Sequence, residues 1–105
     1  MNLNNLCTVA WFALTAKYYR NKKEYDKRKL VLDFHLLTDP KDEFDNNPFG
    51  IQMIVRSYKT NQTESYVYTK EVLENVEHAA DVLIIPKIKS MIENVEKEKH
   101  YERVN

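Results

Sequence analysis

With 105 residues and sixteen basic against sixteen acidic side chains, the chain has room for one modest core and no net charge to draw in nucleic acid or an anionic membrane. A single cysteine, Cys7, rules out an internal disulfide. A single glycine argues against phosphate-cradling loops, nucleophile elbows and dinucleotide fingerprints, because each needs backbone that only glycine tolerates.

The first predicted element is a helix over Leu3 to Arg20, with Asn2 or Asn4 as N-cap. One side carries Leu3, Leu6, Ala10, Ala13 and Leu14. The other carries Trp11, Phe12, Thr15, Tyr18 and Tyr19, which is not a polar face. A helix apolar on both sides is either buried between two layers or docked on something outside its own domain, so Trp11, Phe12 and Tyr19 are candidate partner contacts. Its apolar run, Leu6 to Ala16, is too short to span a bilayer and has neither the basic leader nor the cleavage site of a signal peptide; a cytoplasmic location in a host cell is expected.

Lys17 to Lys29 is basic, and Tyr18, Tyr19 and Tyr25 are interleaved with its cations. Lys22, Lys23, Lys27 and Arg28 are the candidates there for gripping phosphates, the alternative being a solvated helix end and linker. Leu30, Leu32, Phe34 and Leu36 alternate with Val31, Asp33, His35 and Leu37 as in a half-buried strand. Thr38 to Pro48 is a loop holding the acidic cluster Asp39, Asp42, Glu43 and Asp45. The cluster lacks the spacing and turn glycine of a calcium loop, so it is a candidate contact for a basic partner and no metal is expected.

Ile51 to Tyr58 is a second strand, Lys59 to Thr63 a turn, and Glu64 to Tyr68 a third strand forming a hairpin with the second. Thr69 then caps a long amphipathic helix over Lys70 to Lys99. Its stripe is Leu73, Val76, Ala80, Ile84, Ile88, Met91 and Val95, and it is kinked or broken at Pro86, or made of two helices in tandem. A short strand over Val82 to Ile85 is the structural alternative. Residues 100–105 form a fraying tail.

The elements predict a single α+β domain over 1–105: a helix, a three-stranded antiparallel sheet and a long C-terminal helix. Both helices pack on the sheet face made by Leu30, Leu32, Phe34, Ile51, Met53 and Val55. The outer face then holds Val31, His35, Ile54, Arg56 and Tyr58, joined by Tyr66 and Tyr68 or by Ser65 and Val67. The order helix, three strands, helix resembles that of the double-stranded RNA-binding domain, which grips phosphates with lysines at the start of its second helix. Here that stretch is Thr69, Lys70, Glu71, Val72, Leu73 and Glu74, acidic where the family is basic.

Asp33 and His35 share a strand face, but no nucleophile can be placed beside them. Cys7, His35, His78 and His100 lack metal-site spacing. Neither a catalytic set nor a cofactor is expected. The abundance of Asn, Lys, Ile and Tyr resembles the short accessory proteins of phages and mobile elements. The expectation is a non-enzymatic protein–protein interaction protein that inhibits or modulates a larger host complex, such as a nuclease or defence system, by occupying its surface. Its contacts would come from Trp11, Phe12 and Tyr19, or from Arg56, Tyr58, Tyr66 and Tyr68, with the acidic loop assisting. A homodimer is also compatible with the apolar surfaces. The alternative is a small RNA- or DNA-binding regulator using the basic segment 17–29 and the sheet tyrosines.

Overall fold

The computed structural model describes residues 6–41, 43 and 47–97. Its elements are α1 (Leu6–Arg20), α2 (Lys22–Lys27), β1 (Leu30–Leu37), β2 (Gly50–Ser57), β3 (Gln62–Thr69), α3 (Lys70–Glu74), a π-helical turn (Ala80–Ile84) and α4 (Ile85–Glu96). The strands form one antiparallel sheet in the order β1-β2-β3. Asn2, Asn4, Asp42, Asp45 and His100 lie outside the described residues.

Alternation decides which sheet face is covered. Leu30, Leu32, Ile51, Met53 and Val55 are buried and Phe34 is half-buried, all on the face that receives α1 and α4. α1 lies over β1, and α4 crosses β2 and β3. The buried side of α1 is Cys7, Ala10 and Leu14, and that of α4 is Ile88, Met91, Ile92 and Val95. Burial pushes the Cys7 thiol pKa up, so Cys7 is a small apolar filler of the core. The single glycine, Gly50, is also a packing residue: a Cβ there would sit 2.9 Å from the backbone carbonyl oxygen of Tyr68.

The C-terminal stripe is folded as helices in tandem, and the main break falls at Asn75–His78, ahead of Pro86. Thr69 caps α3, its hydroxyl accepting the Val72 N–H at 3.3 Å. After five residues the chain turns, with His78 in the left-handed region at φ 54°, and the His78 carbonyl accepts the Asp81 and Val82 N–H groups at 3.0 Å. Geometry explains the break. A continuous helix over residues 70–96 would be about 40 Å long. An eight-residue strand spans only about 26 Å. To cover the sheet, the chain must reverse first and then run back across it.

Pro86 has a subtler consequence. The turn before it is widened, the Ile85 N–H donating to the Ala80 carbonyl five residues back, so the missing proline donor falls where the helical pattern is already loosened. Residues 82–85 are helical, not a strand.

The β2–β3 turn anchors the far end of α4. The Thr60 hydroxyl and the Gln62 amide (3.1 Å) both donate to the Val95 carbonyl, and the Gln62 amide also donates to the Lys97 carbonyl. These bonds satisfy carbonyls that a helix end leaves open. Buried Ser57 supports the turn by accepting the Thr60 N–H at 3.3 Å.

Candidate interaction surface

The sides of α1 divide differently from the two stripes expected of it. Trp11 and Tyr18 turn inward. The Trp11 Nε1–H donates to the Phe34 carbonyl at 2.9 Å, covering a backbone acceptor on edge strand β1, and the Tyr18 ring meets Phe34 edge-on at 6.3 Å. Leu6 and Ala13, expected on the core side, are exposed. The outward side is therefore Leu6, Val9, Phe12, Ala13, Ala16 and Tyr19, with Val9 49%, Phe12 59% and Tyr19 69% exposed. No charged side chain interrupts α1 before Lys17. Of the candidate anchors, Phe12 and Tyr19 are on this ridge and Trp11 belongs to the fold.

The sheet candidates are not brought together. The register pairs Met53 with Tyr66 and Ile51 with Tyr68, so both tyrosines lie on the helix-covered face. Tyr66 has the Lys87 ammonium 4.2 Å from its ring centroid. The Tyr68 hydroxyl donates to the Leu83 carbonyl at 3.3 Å, and burial, with the neighbouring Tyr66, raises its pKa. Arg56 and Tyr58 are on the other side of the sheet. The Arg56 guanidinium stands 4.9 Å from the Tyr58 ring and donates to the Thr63 hydroxyl at 2.7 Å. The outer face thus takes Ser65 and Val67 from β3, and its rows mix Ile54, Val31 and Val67 with Asp33, His35, Gln52 and Arg56. It is a less apolar surface than the ridge on α1.

The basic segment is partly neutralised. Lys22 pairs with Asp26 at 3.0 Å, which raises the Lys22 pKa chiefly through that hydrogen bond, and it leans toward the Tyr18 ring. Arg28 clamps Glu96 through both nitrogens of one edge, Nε to Oε2 at 3.0 Å and Nη2 to Oε1, tying the start of β1 to the end of α4. Lys23 and Lys27 remain exposed on α2. Of the acidic loop, Asp39 accepts the Lys41 N–H at 2.9 Å within its own turn and Glu43 is exposed. Asp33 and His35 are both exposed on the outer sheet face.

Among the described residues no three His, Cys, Asp or Glu side chains are grouped to hold a metal, and no helix is long and apolar enough to cross a membrane. No family model, curated protein or solved structure matches the chain.

Proposed function

We propose that this chain is a non-enzymatic interaction protein that docks on another protein through the outward ridge of α1. It acts by occupying a surface of a larger host assembly, as an accessory protein of a phage or mobile element would. The observation that carries this reading is the uncharged, exposed side of a helix whose other side already fills the core. Such a face loses little conformational freedom on binding, because the helix is held by Leu14, Ala10 and Cys7 beneath it. Phe12 and Tyr19 supply the aromatic area that dominates contact energies, and Ala13 and Ala16 let a partner approach closely between them.

The test is a pull-down with the tagged chain from host lysate, after nuclease treatment, comparing the natural sequence with Phe12→Asp. One protein retained by the natural chain and weakened at least thirtyfold by Phe12→Asp, with an unchanged circular dichroism spectrum, is the expected result. Retention that ignores the substitution rejects α1 as the surface. Loss of every partner on nuclease treatment would shift the function to nucleic acid and to the exposed Lys23 and Lys27.

A further inference from the structure

The two edges of the sheet are not alike, and the bonds at its ends fix which backbone groups face outward. The Lys70 N–H donates to the Phe49 carbonyl at 2.8 Å and the Tyr58 N–H to the Lys29 carbonyl at 2.9 Å, each one position beyond the paired register. Facing residues of an antiparallel pair alternate between those that exchange both bonds and those that exchange none. Counting in twos from Lys70, Gln62, Glu64, Tyr66 and Tyr68 turn their N–H and C=O groups to β2, and Thr63, Ser65 and Val67 turn theirs away from the sheet. The same count from Lys29 puts the Phe34 carbonyl outward on β1, and that is the carbonyl the Trp11 indole reaches.

Edge β1 is therefore covered: α1 and α2 pack along it, and Trp11 takes an open acceptor. Edge β3 is open. Thr63, Ser65 and Val67 are exposed, and no hydrogen bond among the described residues reaches their outward N–H and C=O groups. β3 also lacks the usual protection of an edge. Over eight residues it pairs with β2 without a bulge, it has no proline or lysine, and its one charged residue is Glu64.

We propose that β3 pairs with the β3 of a second copy, antiparallel about a two-fold axis at Ser65, joining two three-stranded sheets into one continuous sheet. With the axis there, Ser65 faces Ser65, Thr63 faces Val67, Glu64 faces Tyr66 and Gln62 faces Tyr68 across the seam. The outward N–H and C=O groups of Thr63, Ser65 and Val67 then all find partners. Charge favours a second copy as the occupant. The Lys87 ammonium lies 4.2 Å from the Tyr66 ring centroid and is in no ion pair among the described residues. Glu64 arrives opposite Tyr66 and so meets Lys87 of the other copy, twice by symmetry. An axis at Glu64 would instead set two carboxylates face to face. α4 lies over β2 and β3, and strands are about 4.8 Å apart, so the two α4 helices come to about 10 Å, an ordinary packing distance. The covered β1 edges close the assembly at two copies. None of this depends on the α1 ridge being an interface.

Sedimentation velocity over a rising concentration series is expected to show monomer passing to dimer. In the dimer, amide exchange followed by NMR should slow at Thr63, Ser65 and Val67, whose amides exchange freely in the monomer. The Ser65 N–H makes no bond to β2, so Ser65→Pro should keep the fold and raise the dimer dissociation constant at least thirtyfold. Ser65→Lys, which places like charges at the axis, should raise it at least tenfold without a proline. Glu64→Lys should do the same, and adding Lys87→Glu should restore the dimer. A chain that stays monomeric at millimolar concentration overturns the proposal. So does a dimer whose Thr63, Ser65 and Val67 amides still exchange freely, as in a dimer formed through α1, or one that folded Ser65→Pro and Ser65→Lys variants leave intact.

Discussion

α1 and α4 are the two long helices on the same sheet face, and they differ in how much of their surface the fold uses. α4 is one-sided: Ile88, Met91, Ile92 and Val95 are buried, and Lys89, Ser90, Glu93 and Asn94 face water. Pro86 apart, its exposed side chains are polar. α1 buries Cys7, Ala10 and Leu14 and still presents Leu6, Val9, Phe12 and Tyr19 outward. For α4 the amphipathic pattern is explained by packing alone. For α1 packing explains half of the apolar side chains, and the surplus half is where a function beyond folding is to be sought.

The largest effect expected from this contrast is on α4. Met91 is fully buried beneath the helix, so Met91→Ala should cost about 2–5 kcal/mol in urea unfolding, from lost burial plus the cavity left behind. A cost well below that range would mean that α4 is loosely seated on the sheet. A smaller effect belongs to the inner side of α1. Trp11→Phe removes the N–H that reaches the Phe34 carbonyl, and should cost about 1 kcal/mol with the helical circular dichroism retained. An unchanged unfolding midpoint would place Trp11 with the ridge after all.

The strands were legible because β1 and β2 alternate apolar and polar residues strongly enough to set their faces. β3 was not, since Tyr66, Tyr68 and Val67 suit either face. The decision rests with the hairpin turn. A five-residue turn over Lys59 to Thr63 would pair Val55 with Val67 and send the tyrosines outward. The four-residue turn Tyr58–Asn61, with Asn61 at φ 61°, pairs Val55 with Glu64 and turns the tyrosines toward α4. A slip of one residue reverses every side chain of a strand, and turn length sets that register. The helix break was hidden for a related reason. Residues 75–78 contain neither glycine nor proline, and the reversal is imposed by the length of the sheet, a property of the assembled fold that no local window contains. On α1 the twofold apolar character was plain. Which aromatics turn inward was not, because it depends on the Phe34 carbonyl waiting at the edge of β1.

The smallest effect on stability is also the one that separates the two helices most cleanly. Val9 is 49% exposed on the outward side of α1. Glutamate is a better helix former than valine at an exposed helical position. Val9→Glu should therefore leave the unfolding free energy within about 0.5 kcal/mol of the natural chain, and any change should be toward greater stability. The same substitution puts a charge in the middle of the ridge, where burial against a partner without a counter-ion is costly. Differential scanning calorimetry and the pull-down, run on one preparation, should then move independently: the melting point holds or rises while the partner is lost. A melting point that falls by many degrees would mean that the outward side of α1 is packed against this chain's own residues, and α1 would differ from α4 only in appearance.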